Sequence, residues 1–306
     1  MTLSTARLEQ ITRLRVDEPD RAHLAALRRR RRERLTLDGR LAILAADHPA
    51  RRVTAVGGNA IAMADRGDYL GRILRVLQCP LIDGVMSTMD VLEDLLVLDD
   101  LRRGESEASF LDGRLLIASL NRGGLAGAAW EMDDPVTAAT PASCRYWNLD
   151  GAKMLLRIGD QDAGSLRTIE ACARAITELD ALGLPMFLEP LPAVRSETGF
   201  KLIKTADALA RAAGVASALG SSSRRLWLKL PYCEDYDVVA RATTLPILLL
   251  GGESAGDVTP FLRQLETGLA AAPNVRGALV GRNVLYPGDA DPFAAAEAIG
   301  RMVHNA

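Results

Sequence analysis

From residue 39 onward, short apolar runs alternate with stretches of helical periodicity. The runs are LAILAAD (41–47), PLIDGVM (80–86), LLIASLN (115–121), GAKMLLRI (151–158), PMFLEP (185–190), LWLKLP (226–231), PILLLGG (246–252) and GALVGRN (277–283). Helical patterns fall between them at 68–77, 90–99, 165–182, 205–218, 233–243 and 257–271. Continuous apolar strands separated by helices indicate parallel strands buried on both faces. Eight such units predict an α/β fold, a single (β/α)8 TIM barrel over 39–306. The competing architecture, a doubly wound open sheet, wants a glycine-rich dinucleotide turn after its first strand, where Asp47-His48-Pro49 stands instead. Before the barrel, Leu8, Ile11 and Leu14, then Leu24, Leu27 and Leu35, predict an N-terminal helical extension over 1–38. Its run Arg28 to Arg32 reads as the solvated face of a helix, or as a contact for an anion or another subunit.

The 306 residues carry 37 basic and 39 acidic side chains, which gives no charge bias toward nucleic acid or a membrane surface. No apolar run approaches the roughly 18 residues of a membrane span, and the opening MTLSTARLEQ lacks the apolar core of a secretory signal, so a cytoplasmic protein is expected. Cys79, Cys144, Cys172 and Cys233 are scattered, and His23, His48 and His304 are too far apart to form a histidine metal site. Neither a metal nor another cofactor is expected. Lysine occurs only at 153, 201, 204 and 229, so nearly all the positive charge is arginine. Two of those four lysines lie inside apolar strand-like runs.

In a barrel the active site forms at the C-terminal ends of the strands, so polar residues within or just after the runs are the candidates. They are Asp47 and His48 on the first, Asp83 on the second, Asn121 and Arg122 after the third, Lys153 and Arg157 on the fourth, Glu189 on the fifth, and Lys229 on the sixth. Gly251 and Gly252 close the seventh run, and Gly281 and Arg282 the eighth. A charge inside a barrel is costly to desolvate unless paired. Adjacent strands would aim Lys153, Glu189 and Lys229 into one cavity, where burial and a neighbouring cation favour an unprotonated, nucleophilic amine. Against this stand plainer readings: Lys229 reaching out to solvent, Lys153 and Glu189 as a structural ion pair, Asp47 as a loop cap, and Asp83 as a turn residue. The glycines serve either tight βα turns or a phosphate cradle, to which Arg282 would add a charged contact.

The stretches AADHP (45–49), DGVMSTMDVLEDLL (83–96), GAKMLLRI (151–158), FLEPL (187–191), LWLKLPY (226–232), LLLGG (248–252) and LVGRNVLY (279–286) give the chain a family look. It resembles the class I, Schiff-base-forming aldolases of the barrel superfamily that holds deoxyribose-phosphate, archaeal-type fructose-bisphosphate, tagatose-bisphosphate and sulfofructosephosphate aldolases. The resemblance implies Lys229 as the imine-forming lysine, Lys153 as its neighbouring cation, Glu189 as the acid/base and Asp47 as a further catalytic group. It implies substrate contacts from His48, Asp83, Asn121, Arg122, Arg157, Gly251, Gly252, Gly281 and Arg282. The chain departs from the fructose-bisphosphate branch in DHP for DHG and in Glu253-Ser254 after the glycine pair, and LNRGG (120–124) is foreign to the hexose-bisphosphate members. It is also similar to aldolase-like barrels encoded with inositol-degradation enzymes in actinobacteria. That likeness implies cleavage of 2-deoxy-5-keto-gluconate 6-phosphate to dihydroxyacetone phosphate and malonate semialdehyde, with Arg122 or Arg157 meeting the substrate carboxylate. Tagatose- or fructose-bisphosphate cleavage, a deoxyribose-phosphate-type reaction and a non-catalytic sugar-phosphate-binding regulator are the alternatives. The expected partners are a small sugar-phosphate substrate and further copies of the chain in a homo-oligomer, with no nucleic acid and no membrane.

Overall fold

The computed structural model describes residues 2–197, 199–252 and 257–305. Helices α1 (Thr5–Asp17) and α2 (Arg21–Arg28) precede β1 (Leu41–Ala46). Then follow α3 (Arg66–Leu77), β2 (Gly84–Ser87), α4 (Met89–Gly104), β3 (Leu115–Ser119), α5 (Pro141–Tyr146), β4 (Gly151–Ile158), α6 (Ala163–Ala181) and β5 (Met186–Ser196). The chain continues through β6 (Gly199–Leu202), α7 (Ala206–Ser217), β7 (Leu226–Pro231), α8 (Tyr236–Arg241), β8 (Ile247–Leu250), α9 (Thr259–Ala271), β9 (Val275–Val280), α10 (Arg282–Leu285) and α11 (Pro292–His304).

Eight parallel strands close into a barrel in the order β1-β2-β3-β4-β5-β7-β8-β9, with β9 returning to β1. This is the (β/α)8 TIM barrel expected from the run pattern. The short β6 lies outside that pattern and folds back antiparallel on the tail of β5. Alternation along each strand divides the apolar side chains in two. Leu41, Ile43, Met86, Leu115, Ile117, Phe187, Leu248 and Leu279 fill the barrel interior, while neighbours such as Ala42, Leu44 and Leu116 pack beneath the helices. Leu35 packs on the interior cluster. It comes from the segment between α2 and β1, which crosses the N-terminal end of the barrel.

That crossing gives the arginine run its role. Helix α2 ends at Arg28, and the four arginines that follow are not a solvated helical face. Arg29 and Arg31 reach Asp150 at 2.8 and 2.7 Å, Arg32 reaches Asp83 at 2.7 Å, and Arg28 pairs with Asp100 on α4. Asp150 and Asp83 each stand just before a strand and accept the amide of the neighbouring strand, Leu116 at 2.8 Å and Ala42 at 2.7 Å. Each carboxylate thus satisfies an amide at the N-terminal end of a barrel strand and holds arginine in place. Arg15 and Arg66 converge on buried Asp94 of α4, both at 2.8 Å.

The far end of the chain joins the same network. His304 lies 2.7 Å from Asp38 and 3.2 Å from Asp83. Its imidazole is pushed up to about 9, chiefly by the hydrogen bond to Asp83; burial opposes this and Asp38 adds to it. A folded-state value above the ordinary 6.5 means that the pairing stabilises fully below about pH 6.5 and is lost as pH rises through about 9. Urea midpoints across that window should therefore fall in the wild type and lose this part of their slope in His304→Gln. An equal slope in both proteins would remove the pairing from the stability of the fold.

Candidate active site

Phe187 and Trp227 pair in register across β5 and β7, with ring centroids 6.0 Å apart, and both belong to the interior packing. Two residues further along each strand the period of two returns Glu189 and Lys229 to the same interior, nearer the C-terminal mouth. Lys153 on β4 projects into it as well. Lys153 Nζ lies 2.6 Å from Glu189 Oε2, and Lys229 Nζ lies 3.1 Å from the same oxygen. All three are buried, at 2, 6 and 8 % exposure for Lys153, Lys229 and Glu189. One carboxylate oxygen therefore serves two amines.

Burial disfavours charge on all three, and their mutual contacts oppose it. Lys153 is held well below the ordinary lysine range by burial; Glu189 resists this, while Arg122, Lys229 and Arg51 push it further down. Lys229 is lowered in the same way, by burial first, with Glu189 opposing and Arg122 and Arg51 adding to it. Burial alone would raise the Glu189 carboxyl, but Lys153 and Lys229 override it and keep it ionised far below its usual range. The cavity thus holds a fixed anion and two amines whose protonation is disfavoured, the electrostatic setting a nucleophilic lysine needs.

Asp47 closes the cluster from the end of β1. It accepts from Ser119 Oγ at 2.6 Å, is paired with Arg122, and stands 3.9 Å from Lys153 Nζ. Arg122 also donates to Ser119 Oγ at 2.8 Å, and burial brings its guanidinium down to about 10. Ser119 is absent from the sequence reading, although its place two residues after Ile117 on an alternating strand marks it as inward-facing. His48 follows Asp47, and burial, with Arg282, Lys229 and Lys153 nearby, lowers its imidazole to about 3, so it is neutral. Gly281 is required where His48 lies: a Cβ there would stand 2.3 Å from His48 Cε1 and 2.6 Å from the Ala45 carbonyl oxygen. Gly251 accepts from Asn283 Nδ2 at 2.5 Å through its carbonyl, and Gly252 has a φ of +65° beside open space. Arg282 begins α10 beyond Gly281. The departure at Glu253-Ser254 lies outside the described residues.

One expected substrate contact, Asp83, is corrected, and two others, Asn121 and Arg157, are engaged within the protein. Asp83 precedes β2 instead of ending it, and so lies at the opposite end of the barrel in the arginine network. Asn121 is consumed by the backbone: its amide donates to Leu155 O and Asp134 O at 2.7 and 3.1 Å, and its oxygen accepts from Leu155 N and Arg51 at 2.9 and 3.3 Å. Arg157 is engaged by Glu131 at 3.0 Å and by the carbonyls of Glu131 and Gly124. Glu131 and Asp134, which hold Arg157 and Arg51 respectively, escaped the sequence reading because they stand in an aperiodic stretch between β3 and α5. Among the described residues no group of three or more His, Cys, Asp and Glu is placed to hold a metal ion, and no helix is long and apolar enough to cross a membrane.

The fold and this cluster define a (β/α)8 barrel with paired buried lysines at its mouth. The Cgl0159-like family profile matches residues 39–300, and the chain belongs to that family. The crystal structure of Cgl0159 from Corynebacterium glutamicum (Brevibacterium flavum) is 39 % identical, covering 99 % of this chain and 98 % of that one with a TM-score of 0.91. An archaeal fructose-1,6-bisphosphate aldolase, its catalytic Lys covalently bound to the carbinolamine intermediate of the substrate, is 21 % identical over 92 % of this chain and 99 % of its own, with a TM-score of 0.63. The fructose-bisphosphate aldolase from Slackia heliotrinireducens DSM 20476 is 15 % identical over 100 % of this chain and 90 % of its own, with a TM-score of 0.62. At such identities the two aldolases share the barrel. No curated protein matches the sequence.

Asn121→Ala should act on stability first. It strips the partner from the buried Leu155 N–H, which left unsatisfied costs roughly 1–3 kcal/mol, while Arg51 keeps the Asn121 and Gly124 carbonyls. The check is the urea midpoint, which should fall clearly; an unchanged midpoint would return Asn121 to the substrate contacts.

Proposed function

We propose that the chain is a class I aldolase that cleaves a phosphorylated keto sugar or sugar acid through an imine on Lys229. The observation that carries this reading is the pair of buried amines on the one Glu189 oxygen inside the barrel. Lys229 Nζ adds to the substrate ketone, and the carbonyl oxygen gains a proton to give a carbinolamine. Water then leaves, with Glu189 exchanging protons between that hydroxyl, the solvent and the amine. In the resulting iminium the nitrogen takes up electrons. A base removes the proton from the hydroxyl β to the iminium carbon, the intervening C–C bond breaks, and its pair forms the enamine as the aldehyde departs. Protonation of the enamine carbon and addition of water release the ketone and restore the amine. Lys153 stays beside the nucleophile as a second amine on the same carboxylate, and a proton held there disfavours reprotonation of Lys229. The barrel shared with an aldolase trapped as a carbinolamine supports this reading.

The particular substrate we favour is 2-deoxy-5-keto-gluconate 6-phosphate. Its ketone and β-hydroxyl fit this sequence of steps, giving dihydroxyacetone phosphate and malonate semialdehyde. Gly252, Gly281 and Arg282 would take the phosphate at the ends of β8 and β9. The same reading makes the protein cytoplasmic, free of metal and other cofactors, and homo-oligomeric.

Incubation with dihydroxyacetone phosphate followed by borohydride should fix one ligand on the peptide carrying Lys229. Lys229→Ala should abolish labelling and turnover, and Lys229→Arg should rescue neither, because a guanidinium cannot serve as the amine nucleophile. Labelling that persists in Lys229→Ala and maps to Lys153 would reverse the two roles. Labelling of neither lysine would end the imine mechanism.

A panel of keto-sugar phosphates, read by coupled detection of dihydroxyacetone phosphate, decides the substrate. The deoxyketogluconate phosphate should be cleaved with the highest kcat/KM. Efficient cleavage of fructose or tagatose 1,6-bisphosphate with none of the sugar acid would overturn the substrate and leave the mechanism standing.

A further inference from the structure

Lys153 has two carboxylates within reach and uses one. Its Nζ sits 2.6 Å from Glu189 Oε2, at hydrogen-bond distance, but 3.9 Å from Asp47 Oδ2. Asp47 Oδ2 is also paired with Arg122, whose guanidinium is braced by Ser119 Oγ at 2.8 Å, while Ser119 itself donates to Asp47 at 2.6 Å. We propose that Arg122 is a positioning residue that occupies Asp47 and so leaves Lys153 and Lys229 to share Glu189 alone. The inference rests on the imine mechanism above.

The charge count explains why this matters. Lys153 and Lys229 face Glu189 from β5, His48 from the end of β1, Arg51 just beyond, and Arg122 from the end of β3, and Lys153 faces Asp47 as well. A second ionised carboxylate free to Lys153 would leave Glu189 to Lys229, stabilise two ammonium groups and remove the nucleophile. Arg122 cancels one carboxylate with a cation that does not titrate in the working range, because a guanidinium keeps its proton where an amine gives it up. The remaining single anion holds one proton's worth of charge between two amines.

The inference makes a prediction in which the sign is the readout. The enzyme is exposed briefly to dihydroxyacetone phosphate at each pH, then quenched with borohydride in one common buffer, and labelling of the Lys229 peptide is plotted against pH. In Arg122→Met, Asp47 is released to the amines, and the acid limb should move to higher pH by about one unit, the lower end of the usual effect of a nearby charge. In Asp47→Asn, Arg122 is left uncompensated, and the limb should move to lower pH. The double variant removes both charges and should return close to the wild-type position, whatever its absolute rate. Arg122→Gln, which also removes the charge, should move the limb in the same direction as Arg122→Met and serves if that variant does not fold. Limbs that move the same way in both single variants, or a double variant that stays displaced, would overturn the inference. Absence of label in the wild type would instead overturn the imine mechanism, so the two failures are distinguishable.

Discussion

Two amines inside a β-barrel exist only because one carboxylate is shared between them. An unpaired ammonium in that interior would shed its proton or unfold the site, and an excess of carboxylates would fix both lysines as permanent cations. Glu189 sits between these limits. Its placement is a matter of strand period: Phe187 and Trp227 fill the layer below, and the next inward positions on β5 and β7 are the glutamate and a lysine. The packing that closes the barrel is also what brings the charges together.

The remainder of the molecule keeps that mouth fixed. At the opposite end the arginines after α2 cross beneath the strands, and aspartates that begin β2 and β4 hold them while satisfying strand amides. Around the mouth, Asn121 stitches the end of β3 to β4, and Asp134 anchors Arg51 beneath the β3–α5 connection. The loops at the mouth stand on a frame that is secured at both ends of the barrel.

Legibility from the sequence followed the same physics. Strand period and apolar runs are written residue by residue, so the barrel and the inward facing of Lys153, Glu189 and Lys229 could be read directly. Asp83 was misread because the second run starts four residues before its strand does, which moves an apparent strand-end carboxylate to the strand start. The internal partners of Asn121 and Arg157 are hidden for another reason. A polar residue at a strand end looks the same whether its partner is a ligand or the backbone of a neighbouring loop, and Glu131 and Asp134 lie in a stretch without period. The arginine run looks like a solvated face because its aspartate partners, though in contact with it in the fold, are 51 to 121 residues away in sequence.

The division of labour between the two basic residue types has a practical side. Arginine does the structural work and carries the surface charge, and of the four lysines two are sealed inside the barrel while Lys201 and Lys204 stand exposed on and just after β6. The outside of the molecule is therefore almost bare of primary amines. Reagents that couple to amines, such as activated esters on a dye or a sensor surface, would find side-chain handles on a single hairpin beside the mouth. A protein attached that way would present one orientation to whatever flows past it.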